Sequence, residues 1–263
     1  MNSFEFKQPI SESLFFRKYG LHGESKAEEV FMGVAEDISS VENDKKWKDI
    51  FYNAMISGEF IPAGRILANA RPNSPMKNLN NCFTLDIEDS MEGIFDALKE
   101  DALISKMGGG VGFNASKLRP KGAPISKGGE SSGVMSFLEI FDASAKSIHT
   151  GGGRRSAHLA VLNIDHPDIE EFITYKQGDE NKRLTQFNIS VGITDKFIDA
   201  VKNDEDWDLI FEGKTYKTIK ARELYDKITK HAWWYNEPGV LFLDTVEKEN
   251  NGHHAFTVDR CNP

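Results

Sequence analysis

Across residues 1–58 apolar side chains return at intervals of three and four, clearest in Ala27–Ala35 (AEEVFMGVA) and Trp47–Tyr52 (WKDIFY). That spacing puts the apolar positions on one face of a helix, so this region is expected to be helical. Between Glu59 and Asn80 the rhythm breaks. Pro, Asn and Arg accumulate there, and the stretch reads as an irregular connector. From Asn81 onward the pattern changes to short apolar and β-branched runs: Cys82–Ile87 (CFTLDI), Leu159–Ile164 (LAVLNI), Phe187–Val191 (FNISV) and Val240–Leu243 (VLFL). Such runs have the content of buried strands. Helical windows separate them at 90–107, with Asp89 or Ser90 as N-cap, and at 135–148, 168–176, 195–203 and 221–233. Strands alternating with helices predict parallel βαβ units. The expected organisation is a helical region over 1–58 and an α/β region over 59–263.

Composition narrows the partners. The chain of 263 residues carries 41 acidic against 32 basic side chains, a formal charge of -9. General nucleic-acid binding needs clustered Lys and Arg to neutralise phosphate, so that class is disfavoured. Two cysteines, Cys82 and Cys261, make no disulfide framework, and a reducing, cytoplasmic setting fits. The first twenty residues lack the basic start and apolar run of a signal peptide. No apolar stretch approaches the ~18 residues of a membrane span.

Three segments are rich in glycine or cations. Met107–Asn114 (MGGGVGFN) places three consecutive glycines after a helix, where backbone amides can approach a ligand because no Cβ intervenes. It is not a P-loop, since no Gly-Lys-Ser/Thr follows. It also lacks the strand-before, helix-after context of a dinucleotide fingerprint. A tight turn against a packed strand explains it equally well. Lys117, Arg119, Lys121 and Lys127 put four cations within eleven residues, beside Gly128 and Gly129. Arg and Lys next to glycines suit a polyphosphate, though a solvated basic loop has the same composition. Thr150–Ser156 (TGGGRRS) repeats the theme.

The histidines have no Cys or His partner at a familiar metal spacing. His166 is expected in a structural or capping role, with Pro167 as the first residue of a helix. A metal hydrolase built on His149, His158 and His166 ranks last among the readings, because that spacing does not share a helix face. Cys82 opens a strand. It is either a small buried apolar group or a reactive thiol beside a cation.

In order along the chain, Phe60–Leu67 (FIPAGRIL), Asn80–Phe83 (NNCF), Asp89-Ser90, Gly108–Asn114 (GGGVGFN), Leu118–Pro120 (LRP) and Gly128–Glu130 (GGE) resemble the ribonucleotide reductase large chain. Gly151–Arg155 (GGGRR), His166–Asp168 (HPD), Phe187–Val191 and Glu237–Phe242 (EPGVLF) continue the likeness over nearly the whole sequence. The resemblance implies a ten-stranded α/β barrel of two parallel five-stranded halves, with a central finger loop that carries a radical cysteine in an Asn-Pro-Cys-Gly-Glu motif. Here the chain reads Cys261-Asn262-Pro263 and stops. It is therefore expected to hold a helical segment and the first five-stranded half-barrel, and to give no product alone.

The resemblance also implies roles for single residues. Cys82 is the reducing cysteine, Asn262 a ribose contact, and Ile61, Asn81 and Gly110 further substrate contacts. Asp89, Ser90 and Met91, with Arg119 and Lys127 on the phosphates, form a site for an effector, ATP or a deoxynucleoside triphosphate. Gly178, Asn181, Lys182 and Arg183 belong to the loop that relays effector identity. Implied partners are the C-terminal part of the enzyme, a second copy of the complete subunit and a thioredoxin-type reductant, with no nucleic acid or membrane. The radical source favoured is adenosylcobalamin, with a dimetal partner subunit as the alternative. The rival reading is a nucleotide-binding module without turnover.

Overall fold

The computed structural model describes residues 4–20, 22–75, 77–126, 128–148, 157–177 and 184–263. The chain divides into two compact units, which meet in sequence between Asn81 and Cys82.

The first unit contains α1 (Pro9–Tyr19), α2 (Ala27–Ser39), α3 (Lys46–Ile56) and α4 (Gly64–Asn69). On α2 the buried residues are Ala27, Val30, Phe31, Val34 and Ala35, the three-and-four spacing read from the sequence. They pack with Met55 and Ile56 of α3 and Leu67 of α4. Phe4 and Phe15 meet Phe31 edge to face, at 5.1 and 5.8 Å between centroids. In the same unit, Arg71 and Glu24 form a part-buried ion pair at 2.7 Å. Helix α4 departs from the expected connector. It is only one and a half turns long, and its flanking Pro and Asn residues obscure the buried Leu67 and Ala68 that hold it.

In the second unit come β1 (Cys82–Thr84), α5 (Met91–Lys106), β2 (Gly110–Asn114), a 3-10 turn (115–117), α6 (Val134–Ser147), β3 (His158–Asn163), α7 (Ile169–Thr174) and β4 (Phe187–Ile193). They are followed by α8 (Asp195–Lys202), β5 (Asp206–Phe211), β6 (Lys214–Lys220), α9 (Ala221–Tyr235), β7 (Gly239–Phe242) and α10 (Leu243–Lys248). Five strands form one sheet in the order β1-β2-β3-β4-β7, every neighbouring pair parallel. This is the helical segment and five-stranded parallel sheet that the sequence predicts. The central strands β2, β3 and β4 are buried almost throughout, as a parallel sheet covered on both faces requires. Phe113, Phe141, Phe172, Phe187 and Phe197 fill the core between sheet and helices.

Further elements of this unit differ from expectation, including α10, whose first residue, Leu243, the sequence placed in a strand. The glycine run is a turn only at Gly108 (φ +73°) and Gly109. Gly110–Asn114 is a fully buried strand. Residues 206–220 form an antiparallel hairpin of their own. Buried Trp207 and Leu209 alternate with exposed neighbours on β5, but β6 is lysine-rich and solvent-facing. The readable signal was the Glu212-Gly213 pair, both at positive φ (+48° and +76°), the geometry of a tight two-residue hairpin turn. Among the described residues, no helix is long and apolar enough to cross a membrane.

Candidate functional site

Cys82 opens β1 and lies beside Gly110 of β2 in register. Its sulfur is 3.9 Å from the carbonyl oxygen of Pro263. The last residues of the chain run as a strap along one face of β2, in the opposite direction to the strand. A Cβ on Gly110 would meet Pro263 at 2.8 Å and the Ala157 carbonyl oxygen at 2.9 Å. On Gly112 it would stand 1.9 Å from the Cys261 carbonyl oxygen. Two residues further along the same face, the Asn114 side-chain amide donates to the Asp259 carbonyl (2.7 Å) and to Asn163 Oδ1 (3.1 Å). Positions 110, 112 and 114 thus form a track, since alternate strand residues share a face. The glycines leave room for backbone, and the asparagine fastens it.

Arg260 holds the strap from the side. Its guanidinium donates to the Leu85 carbonyl at 3.1 Å and pairs with Asp86 at 2.9 Å and Asp259 at 2.7 Å. Lys117 approaches the other Asp86 oxygen at 2.6 Å. Partial burial would raise the Asp86 carboxyl, but its hydrogen bond to Lys117 and the Arg260 charge hold it below the ordinary carboxylate value. Burial pushes the Cys261 thiol up. Cys82, Gly110 and Asn262 are thereby brought to one place, with Asn262 exposed. Ile61 is exposed and Asn81 half-buried, both in the first unit.

A second site forms at the start of α5. The Asp89 carboxylate accepts from the Arg119 backbone amide (3.1 Å) and from Arg119 Nε (2.8 Å). Arg119 Nη1 donates to the Pro124 carbonyl at 2.9 Å. Ser90 is the N-cap of α5, its hydroxyl accepting from Gly93 N at 3.0 Å, and Met91 is exposed. Asp89 and Arg119 line a cavity of about 240 Å³ with Ala123, Pro124, Phe211, Glu212, Lys214 and Tyr216. The last four come from the β5–β6 hairpin, which the sequence reading did not connect to any site. Lys127 and Gly178, Asn181, Lys182 and Arg183 lie outside the described residues, as does His149.

His166 and Asp168 anchor the loop that carries Arg119. The Asp168 carboxylate accepts from the Lys121 amide at 3.1 and 3.2 Å and from the Val134 amide at 3.0 Å. The Asp168 amide donates to His166 Nδ1 at 3.0 Å, so Nε2 carries the proton and donates to the Leu118 carbonyl at 2.9 Å. Burial lowers the His166 pKa and keeps the ring neutral. Pro167 is not the first helical residue. Helix α7 starts at Ile169, because Pro167 and Asp168 form the turn and the Asp168 carboxylate serves α6 instead of its own helix. His158 is fully buried against Asp101 at 2.7 Å, with Ser105 at 3.5 Å. Among the described residues, no group of three His, Cys, Asp or Glu side chains is placed to hold a metal ion.

Fold and site together define an α/β chain whose parallel sheet carries a thiol under a strap formed by its own last residues. The family described as "Ribonucleotide reductase, all-alpha domain" matches residues 5–75, and "Ribonucleotide reductase, barrel domain" matches residues 80–263. The chain belongs to the ribonucleotide reductase large-chain family. A relative from Thermoplasma acidophilum, named vitamin B12-dependent ribonucleoside-diphosphate reductase, is 44% identical over 216 residues, covering 81% of this chain and 28% of the relative. One of the same name from Mycobacterium tuberculosis is 37% identical over 235 residues, 88% of this chain and 34% of the relative. A ribonucleoside-diphosphate reductase large chain from Neurospora crassa is 30% identical over 240 residues, 80% of this chain and 26% of the relative. The chain therefore spans about a third or less of the length of these relatives.

Proposed function

We propose that this chain supplies the first half-barrel of a ribonucleotide reductase that converts ribonucleotides to deoxyribonucleotides for DNA synthesis. The observation that carries the proposal is the strap. Cys82 Sγ lies 3.9 Å from the carbonyl of Pro263, after which the family motif has its radical cysteine. A reducing thiol and a radical thiol would then flank one ribose. The ribose 2′-hydroxyl leaves as water while two thiols are oxidised to a disulfide, Cys82 being one of them. A thioredoxin-type reductant would restore the pair. Asn262 would hydrogen-bond the ribose, with Ile61, Asn81 and the Gly110 backbone as further contacts.

Asp89, Ser90, Met91, Arg119 and Lys127 would bind ATP or a deoxynucleoside triphosphate, and residues 178–183 would pass its identity to the substrate site. The complete subunit would act as a homodimer in the cytoplasm. Adenosylcobalamin is the radical source proposed, supported by the names of the Thermoplasma and Mycobacterium relatives. Among the described residues, the donors next to the strap are the Cys82 and Cys261 thiols, the Asn262 amide and the Asp86 and Asp259 carboxylates, the last two already paired with Arg260. These do not make a cobalt site, so no residue is assigned to the cofactor and no step is routed through it.

The test is complementation. The chain is combined with a polypeptide beginning at the motif cysteine, and deoxynucleotide formation is followed with a dithiol reductant. Cys82→Ser is expected to stop multiple turnover. Normal turnover by that variant would end the redox assignment.

A further inference from the structure

The β5–β6 hairpin lies outside the five-stranded sheet, yet its tip lines the same cavity of about 240 Å³ as Asp89 and Arg119. The two walls are fastened to one turn. On the Arg119 side, the turn at residues 165–168 holds Leu118, Lys121 and Val134 through His166 and Asp168. On the hairpin side, the Asp165 carbonyl accepts from Ile210 N at 2.6 Å, the Ile164 carbonyl accepts from Trp207 Nε1 at 3.2 Å, and the Phe211 ring packs edge-on to His166 at 5.8 Å. The spacing between hairpin tip and Arg119 is therefore built in, through one backbone hydrogen bond and a set of side-chain bonds and ring contacts that converge on residues 164–168.

The charges of the hairpin are divided by function. Lys217 pairs with Glu170, and Lys220 with Asp206 at 2.9 Å. Lys214 has no carboxylate partner among the described residues, and its ammonium sits 4.7 Å from the centre of the Tyr216 ring. Across the cavity Arg119 spends Nε on Asp89 and Nη1 on Pro124, which leaves Nη2 without a hydrogen bond among the described residues. Two carboxylates, Asp89 and Glu212, line the same cavity, and Asp89 is already paired with Arg119. The Lys214 ammonium and the outer edge of the Arg119 guanidinium are the groups that gain charge-assisted hydrogen bonds when phosphate oxygens enter.

We propose that the hairpin tip is the second wall of the effector site, with Lys214 binding the phosphates of a nucleoside triphosphate opposite Arg119 and Tyr216 steadying the Lys214 ammonium. This rests on the reading of Asp89 and Arg119 as an effector site. A hairpin that contacts the effector and is tied to residues 165–168 would make the same turn report effector occupancy to both walls.

Calorimetric titration of the 263-residue chain with dTTP, dATP and dGTP tests it. Lys214→Ala is expected to weaken the triphosphate that binds by about 10-fold or more, the loss of one charge-assisted contact. Lys214→Glu should weaken it further, and Lys214→Arg should hold it within about 3-fold, since the charge is kept. Thermal unfolding of the three variants should match the parent, because Lys214 is an exposed residue at the turn. Unchanged affinity in Lys214→Ala and Lys214→Glu, together with weakened affinity in Arg119→Ala, would overturn the hairpin's role and leave the effector site standing. No binding of any triphosphate by the parent chain would overturn the effector site itself, and this inference with it.

Discussion

At Gly112 a single missing methyl group decides the path of the chain end. The 1.9 Å approach to the Cys261 carbonyl involves backbone on both sides, so no rotamer change relieves a clash there. Gly112→Ala is expected to displace the strap and to cost about 1–3 kcal/mol, the range for overpacking. Turnover in the complemented enzyme should fall far more than stability, and a urea melt beside the activity assay separates the two. His166 sets a pH dependence. Its folded pKa lies below the ordinary imidazole value of 6.5, because burial opposes the charge. Its stabilising contribution is therefore complete above about pH 6.5 and is lost as pH falls through the lower folded value. Melts between pH 7.5 and about pH 5 should show this loss, and His166→Gln should flatten it.

Among elements, the turn at residues 165–168 has the widest reach. Removing the Asp168 carboxylate leaves the part-buried Lys121 amide and the buried Val134 amide without their acceptor, at a cost of about 1–3 kcal/mol. Asp168→Ala should lower the denaturation midpoint and weaken triphosphate binding together, and Asp168→Asn should do less of both, since one acceptor oxygen remains. Helices and the strands β3 and β4 were legible because each has one dominant pattern: three-and-four spacing on α2, the apolar run Leu159–Leu162 on β3, and apolar Phe187, Ile189, Val191 and Ile193 at alternate positions on β4. Helix α4 and the hairpin were not, since α4 holds only two fully buried apolar residues and β6 turns nearly all its side chains to solvent. Gly110–Asn114 was ambiguous because glycine signals a turn by its flexibility and a close approach by its small size, and sequence alone does not say which. Asp89 and Arg119 entered as candidates through the family resemblance, and the structure pairs them at 2.8 Å. The partners from the hairpin, about a hundred residues further on, follow no local pattern.

For the whole molecule, the expected outcome of a simple assay is plain. The 263 residues alone should yield no deoxynucleotide, and adding the polypeptide that starts at the motif cysteine should restore it. Product from the chain alone would contradict the proposed role of the finger loop. The strap also bears on the order of assembly. Its contacts join residues 145 to 181 positions apart in sequence, whereas the sheet it rests on closes through nearer neighbours. Distant contacts carry the larger loop-closure cost and form late. During synthesis β1 and β2 leave the ribosome well before Asp259 is made, so the groove is expected to form before the segment that occupies it. The segment that docks last is also held mainly by side-chain bonds from Asn114 and Arg260, so it should be the first to lift from an otherwise intact sheet. Limited proteolysis would register this as early cleavage within residues 259–262 while β3 and β4 stay intact.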